Sequence, residues 1–127
     1  VSDTKLRQLL ELLDDKITNP PISGNRKVII FTAFADTATY LYKSIAEIIK
    51  TKYGLNTALI TGSRKTSNAT TIPADLNTLL TCFSPVSKDK AKLYPHMQES
   101  IDILIATDCI SEGQNLQDCD YLINYDI

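Results

Sequence analysis

Four short apolar runs in the chain are each followed at once by polar residues. The run ends read Thr32-Ala33, Thr61-Gly62-Ser63, Thr107-Asp108 and Tyr125-Asp126, so three of the four begin with Thr. If the runs are strands of one parallel sheet, these ends share the edge where such folds place ligands. A row of hydroxyls and loop amides there can donate hydrogen bonds to phosphate oxygens. Thr also suits a strand or a helix cap for purely structural reasons. A second segment, residues 108–116, reads Asp-Cys-Ile-Ser-Glu-Gly-Gln-Asn-Leu. Gly113 within it permits close backbone approach to a ligand or a positive φ, and it serves a plain turn equally well.

Other chemistries lack their residues. There is no GxxxxGK[ST] loop: Gly62-Ser63-Arg64-Lys65-Thr66 has the wrong spacing and lacks the second glycine. There is no GxGxxG fingerprint for a dinucleotide. The single histidine, His96, follows Pro95 with no ligand-spaced Cys or Asp near it, and reads as a surface or packing residue. One histidine gives poor support to a hydrolytic triad. The cysteines at 82, 109 and 119 form no CxxC pair, which reads as reduced thiols rather than a disulfide framework or a zinc site. Arg64 with Lys65, and Lys88, Lys90 and Lys92, read as solvated loop charge ahead of phosphate contact.

The elements that must carry these ends follow from periodicity. Leu6, Leu9, Leu10, Leu13 and Ile17 predict an amphipathic helix over residues 2–17, capped by Ser2 or Asp3. Pro20, Pro21 and Gly24 end it in a linker. Residues 27–31, Lys-Val-Ile-Ile-Phe, hold a short unbroken apolar run rich in β-branched residues, which suits a strand buried on both faces. Residues 36–52 return to helical period, with Tyr40, Leu41, Ile45, Ile48 and Ile49 on one face. Asp36 or Thr37 is expected to cap that helix and Gly54 to close it. A strand at 58–60, an exposed loop at 64–73 and a helix at 75–83 come next. Between Pro85 and Pro95 there is room for at most two helical turns. Strands at 101–106 and 121–123 flank a loop at 108–116. Buried strands joined by crossovers imply a three-layer α/β domain with at least four parallel strands and right-handed connections.

Composition sets the outer bounds. With 127 residues the chain is expected to form one domain over 1–127, residues 1–25 being a leading helix and linker. Folding at this size buries roughly two-thirds of the unfolded surface, enough for one core without disulfides or metal. The formal net charge of −2 excludes a globally basic nucleic-acid coat, so any such contact must be local. No run of 18 apolar residues exists, and Asp3, Lys5 and Arg7 interrupt any signal peptide. A cytoplasmic, intracellular chain is therefore expected, with no membrane partner. It starts at Val1 and its single Met is Met97, so it is expected to be an internal piece of a longer protein.

Taken together, three segments resemble a known family. Ile101-Asp-Ile-Leu-Ile-Ala-Thr-Asp108, then Ser111-Glu-Gly-Gln-Asn-Leu116, then Asp120-Tyr-Leu-Ile-Asn-Tyr-Asp126 resemble the fifth conserved motif of superfamily 2 helicases and its following strand. Lys27-Val-Ile-Ile-Phe-Thr32 is similar to the fourth motif, and Ile60-Thr-Gly-Ser63 to the strand-end motif between them. The resemblance covers roughly Arg26 to Asp126. It implies the second RecA-like lobe, a P-loop NTPase-type parallel sheet that forms the helicase C-terminal domain. Gly113-Gln-Asn-Leu116 looks like the Gly-x-Asn-Leu of Swi/Snf-type and bacterial RapA-like translocases, where DEAD-box helicases usually carry Asp in place of Asn115. That favours duplex DNA as the partner.

By position, the resemblance implies that Thr32, Gly62 and Thr107 contact backbone phosphates. Glu112, Gly113 and Asn115 would face ATP between the lobes, with Mg²⁺ held by the N-terminal RecA-like lobe of the same protein. No residue of this chain is expected to be catalytic or to bind metal. The sixth motif, with its arginines for the γ-phosphate, is expected beyond Ile127. The chain alone is expected to show no ATPase and only weak, salt-sensitive DNA binding. Residues 63–72 and 82–99 exceed the compact helicase pattern and are expected to be an insertion touching DNA or a partner domain. A flavodoxin-like or receiver-like module is the alternative; Asp108 sits at a strand end as a receiver requires, but no acidic pair follows the first strand. A degenerate lobe serving as a scaffold is the third.

Overall fold

The computed structural model describes residues 4–22, 24–85, 88, 90–107, 116 and 118–126. Its elements run α1 (Thr4–Thr18), β1 (Val28–Phe31), α2 (Ala35–Tyr53), β2 (Thr57–Ile60), β3 (Lys65–Ser67), α3 (Leu76–Phe83), α4 (Lys90–Leu93), β4 (Ile103–Ala106) and β5 (Leu122–Asn124). They build one five-stranded sheet in the order β3-β2-β4-β1-β5. β2, β4, β1 and β5 are parallel, and β3 joins β2 antiparallel. The four expected parallel strands are thus present in one sheet.

Strand alternation sorts the core into two halves. Val28, Ile30, Leu59, Ile103 and Ile105 face one side, where they meet Leu9, Leu13 and Ile17 of α1 and Ala38, Leu41, Ile45 and Ile49 of α2. Ile29, Ala58, Ile60, Leu104 and Ala106 face the other side, against Leu79, Leu80, Cys82 and Phe83 of α3. Helices on both faces of a parallel sheet make the three layers, and they explain why β4 is apolar at every position.

Three local expectations are corrected. Tyr40 and Ile48 stand 43% and 44% exposed, because α2 lies against the sheet along Ala38, Leu41, Ile45, Ala46 and Ile49. The N-cap of α2 is Phe34, which makes no side-chain cap bond, rather than Asp36 or Thr37. Residues 64–73 are not all exposed loop: β3 pairs with β2 and Ile72 is buried. Other ends follow the sequence. Gly54 closes α2 at φ 72°, the left-handed conformation that glycine adopts without Cβ strain. Asp75 caps α3 by accepting from the Thr78 amide at 2.9 Å. The segment between Pro85 and Pro95 holds the single turn α4.

Candidate functional site

Register brings the candidate strand ends into one row. Ile60 pairs with Ala106, and Ala106 with Phe31, which pairs with Asn124. The next residue in each strand is therefore Thr61, Thr107, Thr32 and Tyr125, side by side along the carboxyl edge. Backbone bonds hold the row: Thr107 N–H donates to Ile60 O at 3.2 Å, Thr32 N–H to Ala106 O at 3.1 Å and Tyr125 N–H to Phe31 O at 2.8 Å.

The threonines of the row have little access to solvent. Thr32, Thr61 and Thr107 are buried. The Thr32 hydroxyl donates to Asp126 Oδ1 at 2.7 Å and accepts from Phe34 N–H at 3.3 Å. The Thr61 hydroxyl accepts from Arg64 N–H at 3.0 Å, inside the hairpin that joins β2 to β3. That hairpin is closed by Thr61 N–H donating to Arg64 O at 2.8 Å.

Gly62 lies on the same hairpin and is exposed. Its φ is outside the left-handed region, and a Cβ built there meets nothing within 4 Å. The fold itself makes no demand for glycine at this position. Thr32, Gly62 and Thr107 are thus brought to one edge, two with buried side chains and one open to solvent. Glu112, Gly113 and Asn115 lie outside the described residues, as does Asp108.

Asp126, read in the sequence only as a strand end, is the partner of Thr32 and Ala33. Its Oδ2 accepts from Ala33 N–H at 2.6 Å while Oδ1 accepts from Thr32. The Ala33 amide, the Thr32 hydroxyl and the charge of Lys5 hold its carboxyl below the usual carboxylate range. Its partner lies 94 positions away, so no local spacing announces the pair.

A second missed feature anchors the chain just before β5. Lys16 of α1 is buried and sits 2.8 Å from Asp120 Oδ1, and it also donates to Asn25 O. Asn25 Nδ2 donates to Asp118 O at 2.9 Å, and Asp118 N–H donates to the buried Ser84 hydroxyl at 3.3 Å. Helical spacing carried a signal here, since Lys16 lies three residues after Leu13 and seven after Leu9.

The opposite edge of the sheet is braced differently. Asn56 O accepts from Asp102 N–H at 3.1 Å, and Asn56 Nδ2 donates to Ser100 O at 2.9 Å. Thr57 N–H donates to Asn68 Oδ1 at 2.9 Å, and Lys27 Nζ to Ile101 O at 2.9 Å. Burial pushes the Lys27 ammonium below its ordinary range, with Asp102 the chief charge opposing that shift. On this side Glu99 receives the amides and hydroxyls of Thr70 and Thr71, which joins the two longer segments to each other. A cleft of about 590 Å³ lined by Thr70, Thr71, Tyr94 and Met97 lies there, away from the threonine row. The basic clusters are partly committed: Lys90 Nζ donates to Glu99 O. His96 is exposed. Among the described residues, Cys82 and Cys119 are free thiols, and no three His, Cys, Asp or Glu side chains group to hold a metal ion.

A mostly parallel sheet with helices on both faces, and polar strand ends aligned at its carboxyl edge, defines an α/β domain of the RecA-like kind. The helicase conserved C-terminal domain matches residues 4–127. The chain belongs to that family. No curated protein matches it. No helix among the described residues is long and apolar enough to cross a membrane.

Proposed function

We propose that the chain is the second motor lobe of an ATP-dependent DNA helicase or translocase of superfamily 2, in the Swi/Snf-type and RapA-like branch. The observation that supports this best is the register that aligns Thr32, Thr61 and Thr107 at the carboxyl edge, with Gly62 open beside them. In this reading Thr32, Gly62 and Thr107 approach the backbone phosphates of duplex DNA. Such contacts carry position rather than base sequence, which suits a motor that tracks any DNA. Glu112, Gly113 and Asn115 face ATP across a cleft completed by the N-terminal RecA-like lobe. That lobe also holds Mg²⁺. ATP bound between the lobes supplies the free energy for closing and reopening the cleft. The role of this chain's own residues is to hold the phosphate backbone on one lobe while the other moves.

The test is DNA binding by the chain and its Gly62→Ala variant, read by fluorescence anisotropy with a labelled duplex. Wild type binds weakly, and affinity falls steeply between 50 and 200 mM salt, as phosphate contacts require. Gly62→Ala keeps the wild-type melting temperature, because the new methyl meets open space, yet binds several-fold more weakly. Binding that ignores salt, or a variant that binds like wild type, refutes the assignment of the edge to DNA. Mg·ATP turnover by the isolated chain is expected to be absent. Robust turnover would refute the lobe assignment.

A further inference from the structure

The threonine row contains an anion cradle that the chain's own carboxylate fills. One donor reaches each carboxylate oxygen of Asp126: the Thr32 hydroxyl at 2.7 Å and the Ala33 amide at 2.6 Å. A phosphate group offers the same chemistry, two acceptor oxygens on one negative centre. Lys5 of α1 adds its positive charge to the cradle, from a position 4.6 Å from the Tyr125 ring centroid. The occupant is also easy to remove. Asp126 is exposed and lies two residues past the end of β5. Its departure uncovers the Thr32 hydroxyl and Ala33 amide just after β1, and Asp126 belongs to neither half of the core.

We propose that Asp126 is an internal competitor for nucleic-acid phosphate at Thr32 and Ala33. Seated, it closes this end of the row. Displaced by a backbone phosphate, it frees both donors together. The inference rests on the reading of Thr32 as a phosphate contact given above, and it adds a regulator to that site. It also accounts for a hydroxyl assigned to phosphate being buried and already bonded. An arriving phosphate must expel a like charge, which weakens binding. Two like charges about 4 Å apart in water correspond to roughly fivefold in affinity.

Two readouts test this on the chain itself. The first is anisotropy of a labelled duplex with wild type, Asp126→Ala and Asp126→Asn at low salt. The second is the ¹⁵N shift of the Ala33 amide during titration with inorganic phosphate. Asp126→Ala is expected to bind DNA about fivefold more tightly, and its Ala33 amide to respond at lower phosphate than wild type. Asp126→Asn, which keeps an acceptor but loses the charge, is expected to fall between the two. Adding Thr32→Val to Asp126→Ala should abolish the gain. Should Asp126→Ala not fold, Asp126→Asn carries the same comparison. A folded variant that binds DNA no more tightly than wild type, with an Ala33 amide indifferent to phosphate, overturns the proposal. An amide that responds to phosphate in a variant that, like wild type, binds no DNA supports the competition and overturns the nucleic-acid reading instead.

Discussion

Lys16 and Asp120 should respond unequally to removal, because only one of them can recover water. The Lys16 side chain is 1% exposed and that of Asp120 is 21% exposed, with 2.8 Å between the charged atoms. Lys16→Met keeps most of the apolar stem and removes the buried charge. It leaves Asp120 to hydrate and strips the Asn25 carbonyl of a donor, a cost of about 1–2 kcal/mol. Asp120→Ala instead leaves a buried ammonium with the Asn25 carbonyl as its one hydrogen-bonding partner among the described residues. Removing one partner of a buried pair costs about 3–5 kcal/mol, and the partial exposure of Asp120 places the value near the lower end. For a domain whose total stability is of order 5–15 kcal/mol, that is a large fraction. The double variant should cost less than the sum, since Lys16→Met removes the charge that Asp120→Ala strands. Urea unfolding followed by circular dichroism measures all four proteins, and a shift of midpoint at constant slope marks a pure stability change. If Asp120→Ala costs no more than Lys16→Met, or the two effects simply add, the pair is solvated and the reasoning fails.

Two further outcomes follow from polar groups elsewhere. The Thr71 hydroxyl and amide, with those of Thr70, hold the Glu99 carboxyl at about 2 against an ordinary 4.5. A carboxyl lowered on folding stabilises above its unfolded value, so this contribution is complete above pH 4.5 and disappears as pH falls through about 2. Glu99→Gln should flatten that part of the urea midpoint's pH dependence, and an unchanged slope would show that the contact is absent in solution. Thr57 Oγ1 is buried and has no hydrogen-bond partner among the described residues. Thr57→Val has nearly the same shape and should raise stability by about 1 kcal/mol in a thermal melt, whereas a loss would reveal a partner for the hydroxyl.

Much of the scaffold was legible because its signals are local. β1 and β4 are unbroken apolar runs, and α1 repeats leucine at helical spacing, so each element can be read without its neighbours. Asp75 and Gly54 are local as well, each acting on the helix it touches. β3 was not legible, because its three residues, Lys65, Thr66 and Ser67, carry no apolar alternation. What makes them a strand is the open edge of β2, which offers its backbone groups at the far side of a four-residue turn. Tyr40 and Ile48 failed for a related reason. Helical period gives a stripe, but where the stripe is centred depends on how closely Ala38 and Ala46 let the helix approach the sheet. The threonine row was legible as composition, each Thr following its own strand. That the Thr32 hydroxyl is bonded within the chain was not, since the carboxylate that receives it is 94 positions away.

The two ends of the sheet differ in what their polar groups do, and the difference bears on function. At the amino edge, Asn56, Asn68 and Lys27 reach across between strands and bond backbone groups there. Those contacts fix strands to one another and leave little for a ligand to exchange with. At the carboxyl edge, the contacts to Asp126 involve an exposed acid in the turn after β5, and Gly62 stands in open space. In the proposed reading a competing anion replaces Asp126 there, and a ligand can approach Gly62 without moving a side chain. In the proposed reading, the carboxyl edge is where phosphate binds and the amino edge is where the strands are braced. The helices on both faces support this edge, because α1, α2 and α3 all pack on the strands that end there.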